Sequence, residues 1–178
     1  IPADTPSGLA NVVITRGDRV VSQGVIQVSN VALSLFTADA SGQGAPTGLL
    51  LRVKANGQQV YESLVRFDAT QNKLVPAPIE RRAGEQLYLI LFGSGLRNAP
   101  DSDGNSANGV AENVEVTIGG AAAQVIYAGV APGFVGLEQV NIRIPDNTPS
   151  NPATTVVVKA KDVLNNLKQA NPVTISLQ

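Results

Sequence analysis

The chain has 178 residues, of which 43% are hydrophobic, so its length suits one sizeable domain or two small ones with a true core. Its formal net charge of −1 gives no electrostatic footprint for nucleic acid, and no apolar run approaches the length of a membrane span, so we expect neither nucleic-acid binding nor membrane insertion. The absence of His and Cys removes the usual general base, thiolate chemistry, structural zinc and disulfides, which favours a protein that is not an enzyme.

Residues 1–30 carry the first indication of how the chain is organised. Ile1–Ser7 reads IPADTPS, and Ile144–Ser150, 143 residues later, reads IPDNTPS. The similarity continues over two further pairs of segments: Ala10–Arg16 with Ala153–Lys159, and Val25–Val28 with Val173–Leu177, where the second copy has a few extra residues. Self-similarity of this kind indicates repeats, so the chain is expected to open with the closing strands of one repeat and to end with those of the next. The alternative is convergence on a Pro-rich connection.

The repeat has a consequence for assembly. The N-terminal strands lack the front half of the repeat, found at residues 76–145, so they must pair with residues 31–75 or with another chain. Unpaired strand edges are templates for a second chain, and a contact between the head of one molecule and the tail of the next builds an open filament unless the rotation closes. We therefore expect self-association, or contact with neighbouring repeats of the same protein. The other outcome is a monomer in which residues 1–30 fold back on residues 31–75.

Asn56-Gly57 is the strongest hairpin signal in the chain, because both residue types tolerate the positive φ that tight turns need. The dipeptide predicts a two-residue loop between apolar strands. In the resulting register Val53 pairs with Val60 on one face of the hairpin, and Arg52 pairs with Tyr61 on the other.

A Pro-rich segment follows this hairpin. Pro76-Ala77-Pro78 is extended and unsuited to a central strand, because proline cannot donate to the ladder. We therefore place a domain boundary there, between an N-terminal β domain at residues 1–75 and a β-sandwich at residues 76–178.

Gly119-Gly120 forms a second hairpin turn, since glycine supplies positive φ without steric cost. It pairs Ile118 with Ala121 and Val116 with Ala123, and the flanking strands then alternate between apolar and polar residues with period two. The residues expected to be almost fully buried are Val116, Ile118, Val125, Val140 and Ile142.

Strand patterns dominate the rest of the C-terminal half. Leu87–Phe92 is continuously apolar, which is typical of a strand buried on both faces. The only candidate helices are short turns near residues 132–137 and 162–167. The sequence thus predicts an all-β chain, an immunoglobulin-like β-sandwich preceded by a smaller β domain, with little helix.

The middle of the chain also resembles a known family. Residues 116–129 read VTIGGAAAQVIYAG and residues 131–145 read APGFVGLEQVNIRIP. These blocks are similar to the uncharacterised C-terminal domain family named after Solibacter. The resemblance implies an immunoglobulin-like module of the TIG kind, found at the ends of large secreted bacterial proteins, and it implies no established activity. It places the chain outside the cell or on the cell surface.

One loop has the composition of a calcium site. Asp101, Asp103 and Asn105 occupy its first, third and fifth positions, and Glu112 occupies the twelfth. This spacing of oxygen ligands is the one by which a loop wraps calcium. Against it, Ser106 stands at the position usually held by glycine, and no helices are expected on either side. The alternative is an ordinary surface loop; no other cofactor is expected.

Two further candidates are weaker. Arg81 and Arg82, with Glu80 and Glu85 nearby, could form a small anion or partner site, although a solvated strand edge explains them better. Ser94 lies between two glycines, but a nucleophilic serine needs a base, and the chain has no His.

Taken together, these features predict a non-catalytic structural or adhesive module of a secreted or cell-surface bacterial protein, assembling head to tail into a fibre through its terminal strands. The alternative is a calcium-stabilised binding module for carbohydrate or protein that uses the loops at one end of the sandwich. The low aromatic content, 4%, argues against carbohydrate. Glycosidase chemistry would need a paired Asp/Glu cleft, which the sequence does not reveal.

Overall fold

The computed structural model describes residues 5–96, 99 and 113–178, and it divides the chain into two compact units. We call Ile1–Asn30 the hairpin unit and Val31–Gln178 the sandwich unit. The predicted all-β fold is confirmed: the described residues form strands and turns, with no helix among them, and so none there that could cross a membrane. The turns at residues 132–137 and 162–167 are therefore not helical.

The hairpin unit consists of two antiparallel strands, β1 (Gly8–Arg16) and β2 (Arg19–Val28). Gly17 adopts a φ of 58° in the turn between them. The two strands form a two-stranded sheet of their own. At the base of the hairpin the Ser7 hydroxyl donates a hydrogen bond to the side-chain oxygen of Asn30.

The sandwich unit contains all the remaining strands. They are β3 (Ser34–Leu35), β4 (Gly48–Val53), β5 (Gln59–Ser63), β6 (Val65–Asp68), β7 (Lys73–Pro76), β8 (Pro78–Ile79), β9 (Gln86–Ser94), β10 (Val114–Ile118), β11 (Ala121–Val130), β12 (Glu138–Arg143), β13 (Asn151–Lys161), β14 (Leu167–Gln169) and β15 (Val173–Leu177). Their main sheet has the order β5-β4-β9-β12-β11-β10-β13-β15-β8, with β14 beside β13 and β3 beside β9. Strands β6 and β7 form a separate hairpin.

The core of the sandwich unit lies between the two halves of the main sheet, which β11 joins by pairing with β10 and then with β12. Four of the five predicted core residues are buried: Val116, Ile118, Val140 and Ile142. Val125 is only half-buried. It lies at the bulge where β11 passes from one partner strand to the other, and a bulge re-aims the side chains beside it.

The chain divides after Asn30, whereas the sequence suggested a boundary between residues 75 and 76. Strands β3, β4 and β5, all within residues 31–75, belong to the same sheet as the C-terminal strands, because β3 and β4 pair with β9. The Asn171 side chain also bonds both backbone groups of Leu35, at 2.8 and 3.0 Å. The Pro-rich segment is an edge and not a linker: β8, with Pro78, pairs parallel to β15 at the end of the sheet, where a missing N–H is tolerated.

The β4–β5 hairpin has a register one residue away from the predicted one. Arg52 pairs with Val60, and Leu51 pairs with Tyr61. The loop has three residues, 55–57, instead of two: Lys54 N donates to Gln58 O across it. A two-residue loop of the predicted kind needs a positive φ at both residues, whereas here Gly57 has a φ of 82° and Asn56 is not among the positive-φ residues. A shift of one residue moves every side chain to the opposite face. The shift therefore places Val60, and not Tyr61, beside Arg52, which is buried.

Candidate assembly surfaces

The hairpin unit exposes apolar side chains on both faces. Eight large hydrophobic residues in it are at least 36% exposed: Leu9, Val12, Val13, Ile14, Val20, Val21, Val25 and Ile26. In the observed register, Val13 and Val25 lie on one face, while Ile14 and Ile26 lie on the other. An isolated two-stranded hairpin is at best marginally stable in water, which makes this exposed surface a candidate interaction surface.

The counterparts of these strands in the sandwich unit are buried on one face. Gly8, the first residue of β1, is 143 positions before Asn151, the first residue of β13. The outer ends pair alike, Gly8 with Val28 and Asn151 with Leu177. Strand β13, however, lies between β10 and β15. The side chain of Val156 is 0% exposed there, whereas that of Val13, its counterpart by the same spacing, is 53% exposed.

Among the residues that the structure describes, the main sheet ends at β5 and at β8, and these two strands form its edges. Strand β8 has only two residues and contains Pro78, which cannot donate a ladder hydrogen bond. Strand β5 is longer and is free of proline, and Tyr61 on its outer face is 60% exposed. Strand β5 is therefore the better edge for a strand from another chain.

A buried charge cluster supports β5 from the inside. Arg52 is 3% exposed, and its Nε lies 2.5 Å from Oε1 of Glu62 on β5. Its Nη1 lies 2.7 Å from Oε2 of Glu85 and donates to the backbone oxygen of Glu80 at 2.9 Å. The hydrogen bond from Arg52 holds the pKa of Glu62 below its ordinary value, and the same bond raises the pKa of Arg52. This arrangement holds strands together; both carboxylates are engaged by the guanidinium.

Sequence reasoning missed this cluster, although one signal was present. Leu50 and Arg52 are two residues apart in a strand, so they share a face. Since Leu50 is an evident core residue, Arg52 should have been expected inside as well, with acidic partners.

All three tyrosines of the chain lie on the outer face of the main sheet. Leu51 of β4 pairs with Tyr61 on one side and with Tyr88 of β9 on the other. Tyr127 of β11 is farther along the sheet, where it pairs with Asn141. Ile90 and Phe92 alternate with the buried residues of β9 and are half-buried. The predicted burial of both faces of β9 is therefore only partial, and the outer face forms an apolar, aromatic surface that adjoins β5.

The predicted calcium ligands, Asp101, Asp103, Asn105 and Glu112, lie outside the described residues. Within the described ranges, no group of three or more acidic side chains could hold a metal ion.

Arg81 and Arg82 have different environments. The Arg81 guanidinium donates to the backbone oxygen of Thr148, and to the Ser150 hydroxyl at 2.7 Å, so it anchors a turn. Arg82 forms an exposed ion pair of 2.8 Å with Glu80. Both line an open groove of about 550 Å³. Ser94 is an ordinary strand residue at the end of β9, where it pairs with Ser34.

Comparison with models of protein families, with curated proteins and with solved structures found no match to this chain. The Solibacter-type resemblance therefore stays a prediction.

Proposed function

We propose that the chain is a non-catalytic structural module of a secreted or cell-surface bacterial protein, and that it assembles head to tail by donating its hairpin unit to a second copy. The observation that carries the proposal is the exposure of eight large apolar side chains on a hairpin whose counterpart strands bury one face in the sandwich unit, where Val156, the counterpart of Val13, is 0% exposed. The extracellular location rests on the resemblance of residues 116–145 to a family of secreted modules.

Physical chemistry favours a partner for the hairpin. Burial of apolar surface contributes about 25 cal/mol per Å², and an added strand also satisfies the backbone groups along an open edge. A second copy offers both features together: β5 ends its main sheet, and the apolar outer face with Tyr61 and Leu51 adjoins that edge. Donor and acceptor are different surfaces, so the contact is heterologous and propagates into a fibre unless it closes.

Substitutions in the hairpin test the proposal. The double variant Val13→Glu and Val25→Glu adds two charges to one apolar face, and should shift the chain from large assemblies to monomer in sedimentation velocity. The matched control is Gln23→Glu with Gln27→Glu, which adds the same charge to polar positions of that face. We expect the control to assemble like wild type. Equal assembly of both double variants would contradict the proposal.

The outer face of the main sheet, which carries the tyrosines, favours a second function, a binding module for carbohydrate. Tyrosine rings are amphipathic and present a flat surface on which a sugar can stack, and Tyr61 is well exposed. Tyr61→Ala should then abolish retention of the chain on a polysaccharide column, whereas Phe67→Ala, at an equally exposed ring on the β6–β7 hairpin, should not. If wild type is not retained on any polysaccharide tested, this second function is discarded.

A further inference from the structure

The turn of the hairpin unit contains every charged side chain of residues 5–30. These are Arg16, Asp18 and Arg19, and residues 16–19 read RGDR. The strand segments on either side carry no charge and expose large apolar side chains. The hairpin unit therefore has two kinds of surface: uncharged strands that suit a packed sheet, and a charged turn that suits a polar partner. We call residues 16–19 the charged turn.

The backbone of the charged turn is compact. Arg16 and Arg19 form the last pair of the β1–β2 ladder, so Gly17 and Asp18 make up a two-residue loop. Gly17 has a φ of 58°, and Asp18 is not among the residues with positive φ. This is the pattern of a type II′ turn, which places glycine at its first central position. A Cβ added at Gly17 would meet no atom within 4 Å, so the space around the loop is open.

The three charged groups of the turn have no partner among the residues that the structure describes. All three side chains are exposed, and none makes a hydrogen bond or an ion pair there. Arg16 and Arg19 are directly opposite each other, and like charges in that position destabilise a strand pair. Departures of this kind from what favours folding are typical of functional sites. The charged turn is therefore a candidate binding site.

The mixture of charges limits the chemistry of a partner. A polyanion would be repelled by the carboxylate of Asp18, and a purely basic surface would be repelled by the two guanidinium groups. A partner that suits both signs presents a positive point to the carboxylate and acidic side chains to the guanidinium. Arg16 and Asp18 flank a residue without a side chain, so both groups can be approached at once.

We propose that the charged turn binds a receptor that holds a divalent cation next to acidic side chains. The carboxylate of Asp18 is a ligand of the cation, because hard cations take oxygen ligands. The guanidinium of Arg16 pairs with the receptor carboxylates, for which its planar fork is suited. This inference adds adhesion to the proposed structural role, and it rests on the proposed extracellular location but not on assembly.

The charged turn is expected to stay accessible when the strands are covered. Strand β13, the counterpart of β1, lies in the interior of the main sheet, and a turn at residues 162–166 follows it. In that turn Val163 is 58% exposed and Leu164 is 78% exposed. Pairing thus covers the strands and leaves the turn at their end in solvent. A fibre would display many copies of the site, and linked copies bind a surface with higher avidity.

Binding to a panel of purified integrin ectodomains tests the proposal, because these receptors take the carboxylate of an Arg-Gly-Asp ligand on a divalent cation. The full chain is immobilised and binding is followed by surface plasmon resonance. We expect binding with manganese, release by chelator, and competition by a free Arg-Gly-Asp-Ser peptide. An ordinary ion pair between the carboxylate and a lysine of the receptor would survive chelator. Binding that survives chelator, or no binding to any member of the panel, overturns the proposal.

Two conservative variants test the role of each side chain. Asp18→Glu keeps the charge but moves the carboxylate by one methylene, and Arg16→Lys keeps the charge but removes the fork. Each should weaken binding at least about tenfold, which is the scale of one lost contact to a charged group. The controls are Asp146→Glu and Arg82→Lys, at exposed charged residues of the sandwich unit, and they should bind like wild type. Equal binding by Asp18→Glu and Asp146→Glu overturns the proposal.

Assembly and receptor binding are separate measurements, so the two proposals can fail independently. Asp18→Glu should assemble like wild type in sedimentation velocity, since the residue lies outside the apolar strands. A wild-type chain that stays monomeric but binds the receptors would contradict head-to-tail assembly and support the charged turn as a binding site. Filaments that bind no receptor would do the reverse.

Discussion

Nη1 of Arg52 lies 2.7 Å from Oε2 of Glu85, and this contact joins β4 to the turn that precedes β9. The two residues are on opposite sides of the Pro-rich segment at residues 76–78. Because the same guanidinium also binds Glu62 on the edge strand, one buried charge ties three parts of the chain together. Residues 31–75 are therefore integral to the sandwich unit.

Removal of this guanidinium should be costly. Arg52→Ala leaves Glu85 nearly buried without its cation, and breaking a buried pair costs about 3–5 kcal/mol in free energy of unfolding. Arg82→Ala is the control, since it breaks only the exposed pair with Glu80 and should cost about 1 kcal/mol or less. Chemical denaturation followed by circular dichroism gives both values. Similar costs for the two variants would show that Arg52 is solvated in solution.

The pH dependence of the free energy of unfolding should reveal the contribution of Glu62. Its hydrogen bond from Arg52 holds the folded pKa below the ordinary value of 4.5. Glu62 thus stabilises the fold above that value, and this contribution is lost as the pH falls through the folded pKa. The difference in free energy of unfolding between wild type and Glu62→Gln should therefore be largest near pH 7 and should shrink towards pH 3. A difference that stays constant over this range would contradict the interpretation.

Local features of the sequence predicted local structure well. The Gly119-Gly120 turn pairs Ile118 with Ala121 and Val116 with Ala123, as predicted. This succeeded because the turn residues and the alternating pattern are adjacent in sequence, so the register follows from the turn.

Contacts between residues far apart in the chain could not be predicted from the sequence. Glu85, which pairs with Arg52, is 33 residues away, and the register of the β4–β5 hairpin depended on whether Ala55 belongs to the strand or to the loop. The hairpin unit was singled out by the repeat alone, and its contact with another chain stays a prediction.

Gly95 should tolerate no side chain. An added Cβ would lie 2.1 Å from the backbone oxygen of Ala32, at a φ of 87°. Gly120 has a similar φ of 83° with no atom within 4 Å of an added Cβ, so it controls for the backbone conformation alone. Gly120→Ala should cost about 1–2 kcal/mol, and Gly95→Ala should cost roughly 1–3 kcal/mol more, because the backbone has to move. Thermal denaturation that gives equal costs would contradict this packing.

Calcium binding at Asp101, Asp103, Asn105 and Glu112 stays a prediction that melting curves can test. If these oxygens wrap the ion, chelator should lower the melting temperature, because a ligand bound only to the folded state stabilises it. Asp103→Ala should abolish the sensitivity to chelator, and Asp18→Ala in the hairpin turn should preserve it. Identical melting of wild type with calcium and with chelator would leave an ordinary loop.

Sedimentation velocity of the full chain over a wide range of concentration tests the central claim most directly. Head-to-tail donation of the hairpin unit predicts species whose mass grows continuously with concentration, without a plateau at one oligomer, because the contact does not close on itself. Electron microscopy of the same samples should show unbranched filaments. A single species of 18.4 kDa at every concentration would contradict the claim.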